Sequence, residues 1–244
     1  MFEIRTKRTF LVMIGLMASP LVTRADTAYT PDSGKFLMTV QEKPLATTTF
    51  KMDAKGNATM EANVEAQGKK INLKIDFKAT KGKITEVTAD AGPQGKYALT
   101  VNGQASKILL TAPGMAGTPK TVTLPAQFLP FSNTGTPFLT YLLKAYDARK
   151  GGEQAFETRF VDGVGQDGNL PAIQVTLSRL GAKPVTLKGK KVSLTRYSLA
   201  FAGPTGNLGS EIMAMSDGRI LRWEVPAQKL VVVRDGYQAL NKAK

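Results

Sequence analysis

The chemistry open to this chain is set by carboxylates, amines and hydroxyls, because its 244 residues include no histidine and no cysteine. Ser-His-Asp and Cys-His nucleophilic sites are therefore excluded, as are thiolate chemistry and nearly every zinc, copper or haem site. Two carboxylates roughly 5 to 9 Å apart across a cleft could still hydrolyse a glycoside. Most aspartates and glutamates, however, fall in turns or on polar strand faces. We therefore predict no enzyme, no catalytic residue and no cofactor.

Two glycine-rich segments have residues that could bind ions. Segment 162–169 offers oxygen ligands for calcium from Asp162, Asp167 and Asn169, but its spacing departs from an EF-hand loop and it lacks a closing glutamate. Segment 203–209 lacks the lysine and the strand-to-helix context of a phosphate-binding loop. We interpret both segments as turns and predict no metal site.

The elements that must position these groups are mostly strands. From Gly34 to Leu110, apolar residues alternate with polar ones in the two-residue period of half-buried strands. Turn signals such as Asn102-Gly103 separate the strands, which predicts an antiparallel meander. Strand patterns return after Gly152. A loose repeat relates the two halves, since Gly-Lys-Lys opens a predicted strand at 68–70 and again at 189–191.

One segment, Thr136 to Gly152, has the pattern of a helix. Thr136 could cap its first N–H groups, Pro137 suits the first helical position, and the paired glycines at 151–152 could end it after Lys150. Apolar residues cover all of its surface except a narrow polar stripe. We therefore predict that the helix is buried on more than one side.

We predict one β-rich domain over residues 26–244, with a meander over 26–110, a loop plus helix over 111–152 and further strands over 153–244. Residues 1–25 have the features of a signal peptide: Arg5, Lys7 and Arg8 precede an apolar run from Phe10 to Val22. That run is shorter than the roughly 20 residues that span a membrane. We therefore predict cleavage near Ala25 and a periplasmic or secreted location.

The predicted mature chain is strongly basic. Without residues 1–25, which contain four basic residues and one acidic residue, it keeps 29 Lys/Arg and 18 Asp/Glu, a formal net charge of +11. Lysines at every second position, as at Lys70, Lys74 and Lys78, are typical of a solvated sheet face. An anionic membrane surface or an envelope protein could be a partner. Nucleic acid is not expected, because few aromatic residues lie among the basic ones.

Three stretches together resemble a protein family: FLMTVQEKPLATTTFKM at 36–52, KAYDARKGGEQAF at 144–156 and DGRILRWEVPAQ at 217–228. They resemble uncharacterised exported bacterial proteins of the DUF3108-like type, which are similar in architecture to LolA/LolB-type lipoprotein carriers. The resemblance implies a mostly β fold: a strongly curved antiparallel sheet, forming a half-closed or open β-barrel, wrapped around one central α-helix. Its motifs are structural, so no binding residue carries over.

An apolar sheet face beside an aromatic connection predicts a hydrophobic ligand in the mouth of the barrel. Our leading hypothesis is a periplasmic, non-enzymatic binding or carrier protein for an apolar or amphipathic ligand such as a lipid, with segment 128–146 as plug or lid. The residues predicted to bind this ligand are Phe128, Phe131, Phe138, Tyr141, Leu142, Tyr146, Ile71, Leu73, Ile75 and Phe77.

Two alternatives stay open. The chain could be a cell-envelope interaction or scaffolding protein whose core is full and whose basic outer face meets anionic lipid or a partner protein. A carboxylate-dependent, glycan-acting enzyme is the third hypothesis. The packing of the helix separates the first two, because tight packing against the sheet would make the helix part of the core and weaken the carrier hypothesis.

Overall fold

The computed structural model describes residues 28–241, apart from 67, 93–94, 104, 112–116, 118, 126, 135, 165–168, 188 and 204–205. The predicted signal peptide lies outside the described residues. The first eight strands are β1 (Asp32–Val40), β2 (Lys43–Met52), β3 (Ala58–Ala66), β4 (Lys69–Thr80), β5 (Lys83–Asp90), β6 (Lys96–Thr100), β7 (Ser106–Thr111) and β8 (Lys120–Val122).

The second half of the described chain contains seven strands and a helix. They are β9 (Pro130–Phe131), α1 (Pro137–Ala145), β10 (Glu153–Phe160), β11 (Ala172–Leu187), β12 (Lys190–Gly203), β13 (Gly206–Ala214), β14 (Ile220–Val225) and β15 (Leu230–Arg234). Two short 3₁₀ helices, Pro226–Gln228 and Gln238–Asn241, complete the described elements. No helix within residues 28–241, as described, has the length and hydropathy to cross a membrane.

All fifteen strands belong to one sheet, in the order β8-β7-β6-β5-β4-β3-β2-β1-β15-β14-β13-β12-β11-β10-β9. The chain therefore starts in the middle of the sheet at β1 and proceeds strand by strand to one edge at β8. It then crosses to the opposite edge at β9 and returns until β15 pairs with β1. The pairing of β9 with β10 is parallel, and among the described residues the two edges, β8 and β9, do not pair with each other. We call the opening between β8 and β9–β10 the seam.

Bulges help to curve this sheet. The register shifts at Met38/Thr39, Lys78/Ala79, Arg179/Gly181 and Met213/Ala214, and an extra residue in one strand bends it and increases its twist. Side chains on the concave face form the main core, as the alternating burial along β4 illustrates. The predicted mostly β fold with one large curved sheet is confirmed, and the sheet is open.

Because neighbouring strands run antiparallel, alternate turns gather at the same end of the sheet. One end, which we call the helix end, holds the turns at 53–57, 81–82 and 215–219. The opposite end, which we call the far end, holds those at 41–42 and 226–229 and the turn that contains Gly68. The C-terminus of α1 lies at the helix end, where the Tyr146 hydroxyl donates a 2.9 Å hydrogen bond to the carbonyl of Gly152.

The helix is shorter than predicted. It ends at Ala145, because Tyr146 is extended with ψ 124°, so the predicted continuation to Lys150 is wrong. A turn follows instead, in which Gln154 accepts a hydrogen bond from the Asp147 amide and donates one to the Asp147 carbonyl. The predicted cap is also wrong, because Thr136 has helical backbone angles and its side chain makes no capping hydrogen bond.

A second, smaller core lies on the convex face. It contains Leu187, Leu194, Met213, Leu221 and Leu240, the last of these from the C-terminal 3₁₀ helix. Strands β11 and β12 extend beyond their outer neighbours at the helix end, so residues 181–187 and 190–194 pair only with each other. We call this two-stranded extension the ribbon. Its apolar side packs into the second core.

Candidate functional site

The predicted interior site is filled with side chains. The ring of Phe138 on α1 meets that of Phe77 on β4 edge to face at 5.0 Å, and Tyr141 lies 5.8 Å from the same ring. Phe138, Tyr141 and Leu142 are 2 to 3% exposed. The main core includes all the predicted ligand-binding residues except Ile71, which is partly exposed on β4. Their contact with a ligand stays a prediction.

The first described residues close the helix end over this core. The Tyr29 ring packs on that of Tyr141 at 5.5 Å, and its hydroxyl donates a hydrogen bond of 3.1 Å to the carbonyl of Gly82. Gly56 has φ +88°, and a Cβ there would lie 2.6 Å from the Tyr29 ring, so a side chain at position 56 would displace this tyrosine. The Tyr141 hydroxyl donates a hydrogen bond of 2.8 Å to the Gly56 carbonyl. Helix α1 is therefore anchored as part of the core.

Two hollows lie at the helix end. One, of about 220 Å³, opens beside α1 and is lined by residues that include Thr140, Leu143 and Tyr197. The other, of about 410 Å³, lies between the turns that carry Lys55 and Lys81. Neither contains the aromatic residues of α1 that were predicted to bind a ligand.

A larger hollow, of about 610 Å³, lies at the seam. One wall is formed by residues 120–124 of β8 and its extension, and the other by Arg159 of β10 and residues 169–172. Val122, Leu124 and Leu170 supply buried apolar surface, and Lys120 and Arg159 supply positive charge. The seam therefore combines apolar side chains with two cations, one on the edge strand β8 and one on β10, next to the edge strand β9.

Arg159 has spare hydrogen-bonding capacity. Its Nη2 lies 2.6 Å from a carboxylate oxygen of Glu157, and its side chain is 15% exposed. Its buried Nε has no hydrogen-bond partner among the described residues. A buried donor without an acceptor costs roughly 1–3 kcal/mol, so Arg159 carries a penalty that a hydrogen-bond acceptor at Nε would remove.

Polar contacts join the two arms of the sheet next to the seam. The Tyr97 hydroxyl on β6 donates a 2.6 Å hydrogen bond to the Val161 carbonyl, and burial raises the pKa of Tyr97, which keeps the hydroxyl protonated. The Thr48 hydroxyl donates a hydrogen bond of 2.6 Å to the carbonyl of Thr134. These contacts tie β2 and β6 to the segments that flank β9 and β10.

Asp162 lies in the same polar region. Its carboxylate accepts a 2.8 Å hydrogen bond from the Asn133 amide and a 3.5 Å hydrogen bond from the Thr134 hydroxyl. Burial raises its pKa to about 6, and these hydrogen bonds partly oppose the rise. Asp167, the other carboxylate considered for calcium, lies outside the described residues. Within the part of the chain that the structure describes, no three acidic side chains group to hold a metal ion.

The sequence analysis missed Lys120 and Arg159 as candidate site residues. Each is a single charged residue in a sequence typical of a strand, and 39 positions separate the two in the chain. Nothing local marks them, because they come together only when β8 and β9 become opposite edges of the sheet, with β10 next to β9.

The sequence matches no protein-family model and no curated protein sequence. In fold, the chain is similar to the crystal structure of a β-barrel-like protein of the domain of unknown function DUF1849 from Brucella abortus. The TM-score is 0.53, with 10% identity over 85% of this chain and 96% of that chain. The fold is β-barrel-like.

A second solved structure is that of a candidate exported protein with a YmcC-like fold from Bacteroides fragilis. It covers 86% of this chain and 97% of its own, at 8% identity and a TM-score of 0.30, which is too low to support an argument. The resemblance to DUF3108-like proteins and to LolA/LolB-type carriers stays a prediction.

Proposed function

We propose that this β-barrel-like protein is a non-enzymatic binding or carrier protein for an amphipathic anion, such as a lipid with a carboxylate or phosphate group, which binds at the seam. The observation that carries the proposal is the seam hollow of about 610 Å³, to which Lys120 of β8 and Arg159 of β10 contribute cations from its two sides. Small-molecule sites commonly combine apolar walls with a few convergent polar groups.

The chemistry of the lining favours a ligand with one anionic end. Arg159 has a buried Nε donor without an acceptor among the described residues, and guanidinium and ammonium groups both bind carboxylates and phosphates. Val122, Leu124 and Leu170 offer apolar surface to the rest of the ligand. The proposal moves the ligand from the helix–sheet interface, where α1 packs on Phe77, to the opening between the edges.

The lining also favours binding over catalysis. No aspartate or glutamate is among the described residues that line the seam hollow, which weakens the hypothesis of a carboxylate-dependent enzyme at this place. An extracytoplasmic location is part of the proposal and is supported by the signal-peptide features of residues 1–25.

Fluorescence titration with a dansylated fatty acid tests the proposal. Arg159→Gln should weaken binding at least about tenfold, because a charge-assisted hydrogen bond contributes about 1.5–3 kcal/mol. Glu157→Gln should retain or strengthen it, because this change releases Arg159 Nη2. Arg149→Gln, on an exposed turn at the helix end, is the matched control and should bind as the parent does.

An uncharged dansylated amide of the same chain length should bind more weakly than the acid. Native mass spectrometry of the gently purified protein provides a second measurement, and we expect a bound amphipathic anion. A protein that neither carries a lipid nor binds the fatty acid would contradict the proposal. Unchanged binding by a folded Arg159→Gln variant would also contradict it.

A further inference from the structure

The ribbon is the most prominent extension of the sheet at the helix end. The last pair that joins β12 to β13 is Thr195 with Ala214, whereas β11 and β12 continue to pair with each other as far as Leu187 and Lys190. The second core holds the ribbon in place, because Leu187 and Leu194 are buried against Leu221 and Leu240. The extension is thus a fixed part of the fold.

All charged residues of the hairpin formed by β11 and β12, which includes the ribbon, are basic. From 168 to 210 the sequence contains no acidic residue and six basic ones. Arg196 is neutralised by Glu211, at 2.6 Å. Arg179, Lys190 and Lys191 are exposed, and Lys183 is partly exposed.

The hairpin also carries an exposed leucine. Leu180, in the bulge where the ribbon leaves the sheet, is 51% exposed, and it is the one exposed large hydrophobic side chain among the described residues. Arg179 adjoins Leu180 at the base of the ribbon, and Lys190 and Lys191 lie at its tip. Basic residues together with an exposed apolar side chain are the composition expected of an element that lies along an anionic membrane surface.

The rest of the helix end strengthens this charge. Two of its aspartates are paired within their own turns, Asp147 with Arg149 and Asp217 with Arg219. Asp53, Glu153 and Asp235 add negative charge there. Four exposed lysines in or beside the turns of this end outnumber these three acidic residues: Lys55, Lys81, Lys83 and Lys150.

We propose that the helix end docks on a bilayer surface that contains anionic phospholipid, with the ribbon as the contact element. Arg179, Lys190 and Lys191 lie near the headgroups, and Leu180 enters the interfacial region. Docking does not depend on a ligand in the seam, because the lining of that hollow shares no residue with the ribbon.

The chain contains its own matched control for this proposal. Gly68-Lys69-Lys70 and Gly189-Lys190-Lys191 each complete a hairpin turn and open a strand, with glycine φ angles of +73° and +76°. All four lysines are exposed. The first pair lies at the far end and the second at the tip of the ribbon, so the two pairs share their local structure and differ in location.

Co-sedimentation of the protein with vesicles of phosphatidylglycerol and phosphatidylcholine tests the proposal. A cation near an anionic surface contributes about fivefold to the affinity, so Lys190→Gln/Lys191→Gln should bind about 25-fold more weakly than the parent. Lys69→Gln/Lys70→Gln should bind as the parent does. Leu180→Ser should lower the affinity and leave its salt dependence unchanged.

Three results would overturn the proposal: no binding to anionic vesicles at low salt, equal binding to pure phosphatidylcholine vesicles, or equal losses from the two lysine pairs. The last result would indicate attraction by total net charge. Arg159→Gln should leave vesicle binding within about twofold of the parent, since it removes one cation remote from the ribbon, so failure of the seam proposal and failure of this one are distinguishable.

Discussion

The hydroxyl of Tyr97 on β6 donates a 2.6 Å hydrogen bond to the carbonyl of Val161, directly after β10. The two residues belong to opposite arms of the sheet, and both are buried. The bond therefore crosses the interior next to the seam and fixes how far apart the edges can lie. A site built from both edges depends on that separation.

Tyr97→Phe keeps the ring and removes this bond. We expect the free energy of unfolding to fall by about 1–3 kcal/mol, because the Val161 carbonyl loses its buried donor. Urea unfolding monitored by circular dichroism measures the change. Tyr29→Phe is the comparison, since its bond to Gly82 is longer, at 3.1 Å, and only partly buried. Equal decreases in the free energy of unfolding of the two variants would show that the Tyr97 hydrogen bond stabilises the fold no more than the Tyr29 hydrogen bond does.

Two buried threonines should respond to valine in opposite ways. The Thr136 hydroxyl is buried and has no partner among the described residues, so Thr136→Val should be neutral or stabilising. The Thr48 hydroxyl donates a hydrogen bond of 2.6 Å to the carbonyl of Thr134, so Thr48→Val should lower the free energy of unfolding by about 1–3 kcal/mol. Thermal unfolding of both variants makes the comparison. A destabilised Thr136→Val would indicate that its hydroxyl has a partner.

Asp162 should make stability depend on pH. Its folded-state pKa of about 6 lies above the reference value of 3.8, so protonation favours the fold. The stabilisation is fully present below pH 3.8 and is lost as the pH rises through about 6. Between pH 5 and 7.5, the unfolding free energy of the parent should fall by roughly 1 kcal/mol relative to Asp162→Asn. Parallel pH profiles for the two proteins would contradict this.

The core position of α1 can be tested by truncation. Phe138→Ala should lower the unfolding free energy by about 3–5 kcal/mol, as expected when a buried phenylalanine leaves a cavity. Leu143→Ala, on the partly exposed side of the helix, should cost much less. Guanidinium unfolding measures both. A Phe138→Ala variant of parental stability that gains affinity for an apolar probe would instead restore the predicted plug.

The local pattern of the fold could be predicted from the sequence. Alternation identified the inward-facing Leu73, Ile75 and Phe77, because a half-buried strand must place apolar residues at every second position. Pro137 was correctly placed at the start of the helix. The end of the helix was not, since Gln154 and Asp147 stabilise a turn that the glycine signal alone does not indicate.

The strand order and the seam could not be predicted. Phe36 pairs opposite Arg234, and no local signal specifies a partner 198 positions away. The seam hollow depends on the same long-range arrangement, because it exists only where β8 lies at one edge and β9 with its neighbour β10 at the other. Side chains that contact each other along one strand can be inferred from periodicity, whereas those that meet across the opening require the complete topology.

The position of β15 in the middle of the sheet has a consequence for biosynthesis. Synthesis proceeds from the N-terminus, so β1 emerges nearly 200 residues before its second partner. Until then the nascent chain exposes the unpaired backbone of a nine-residue central strand, and such edges promote aggregation. One side of β1 is therefore satisfied early by β2, and the other side waits for the last strand of the chain.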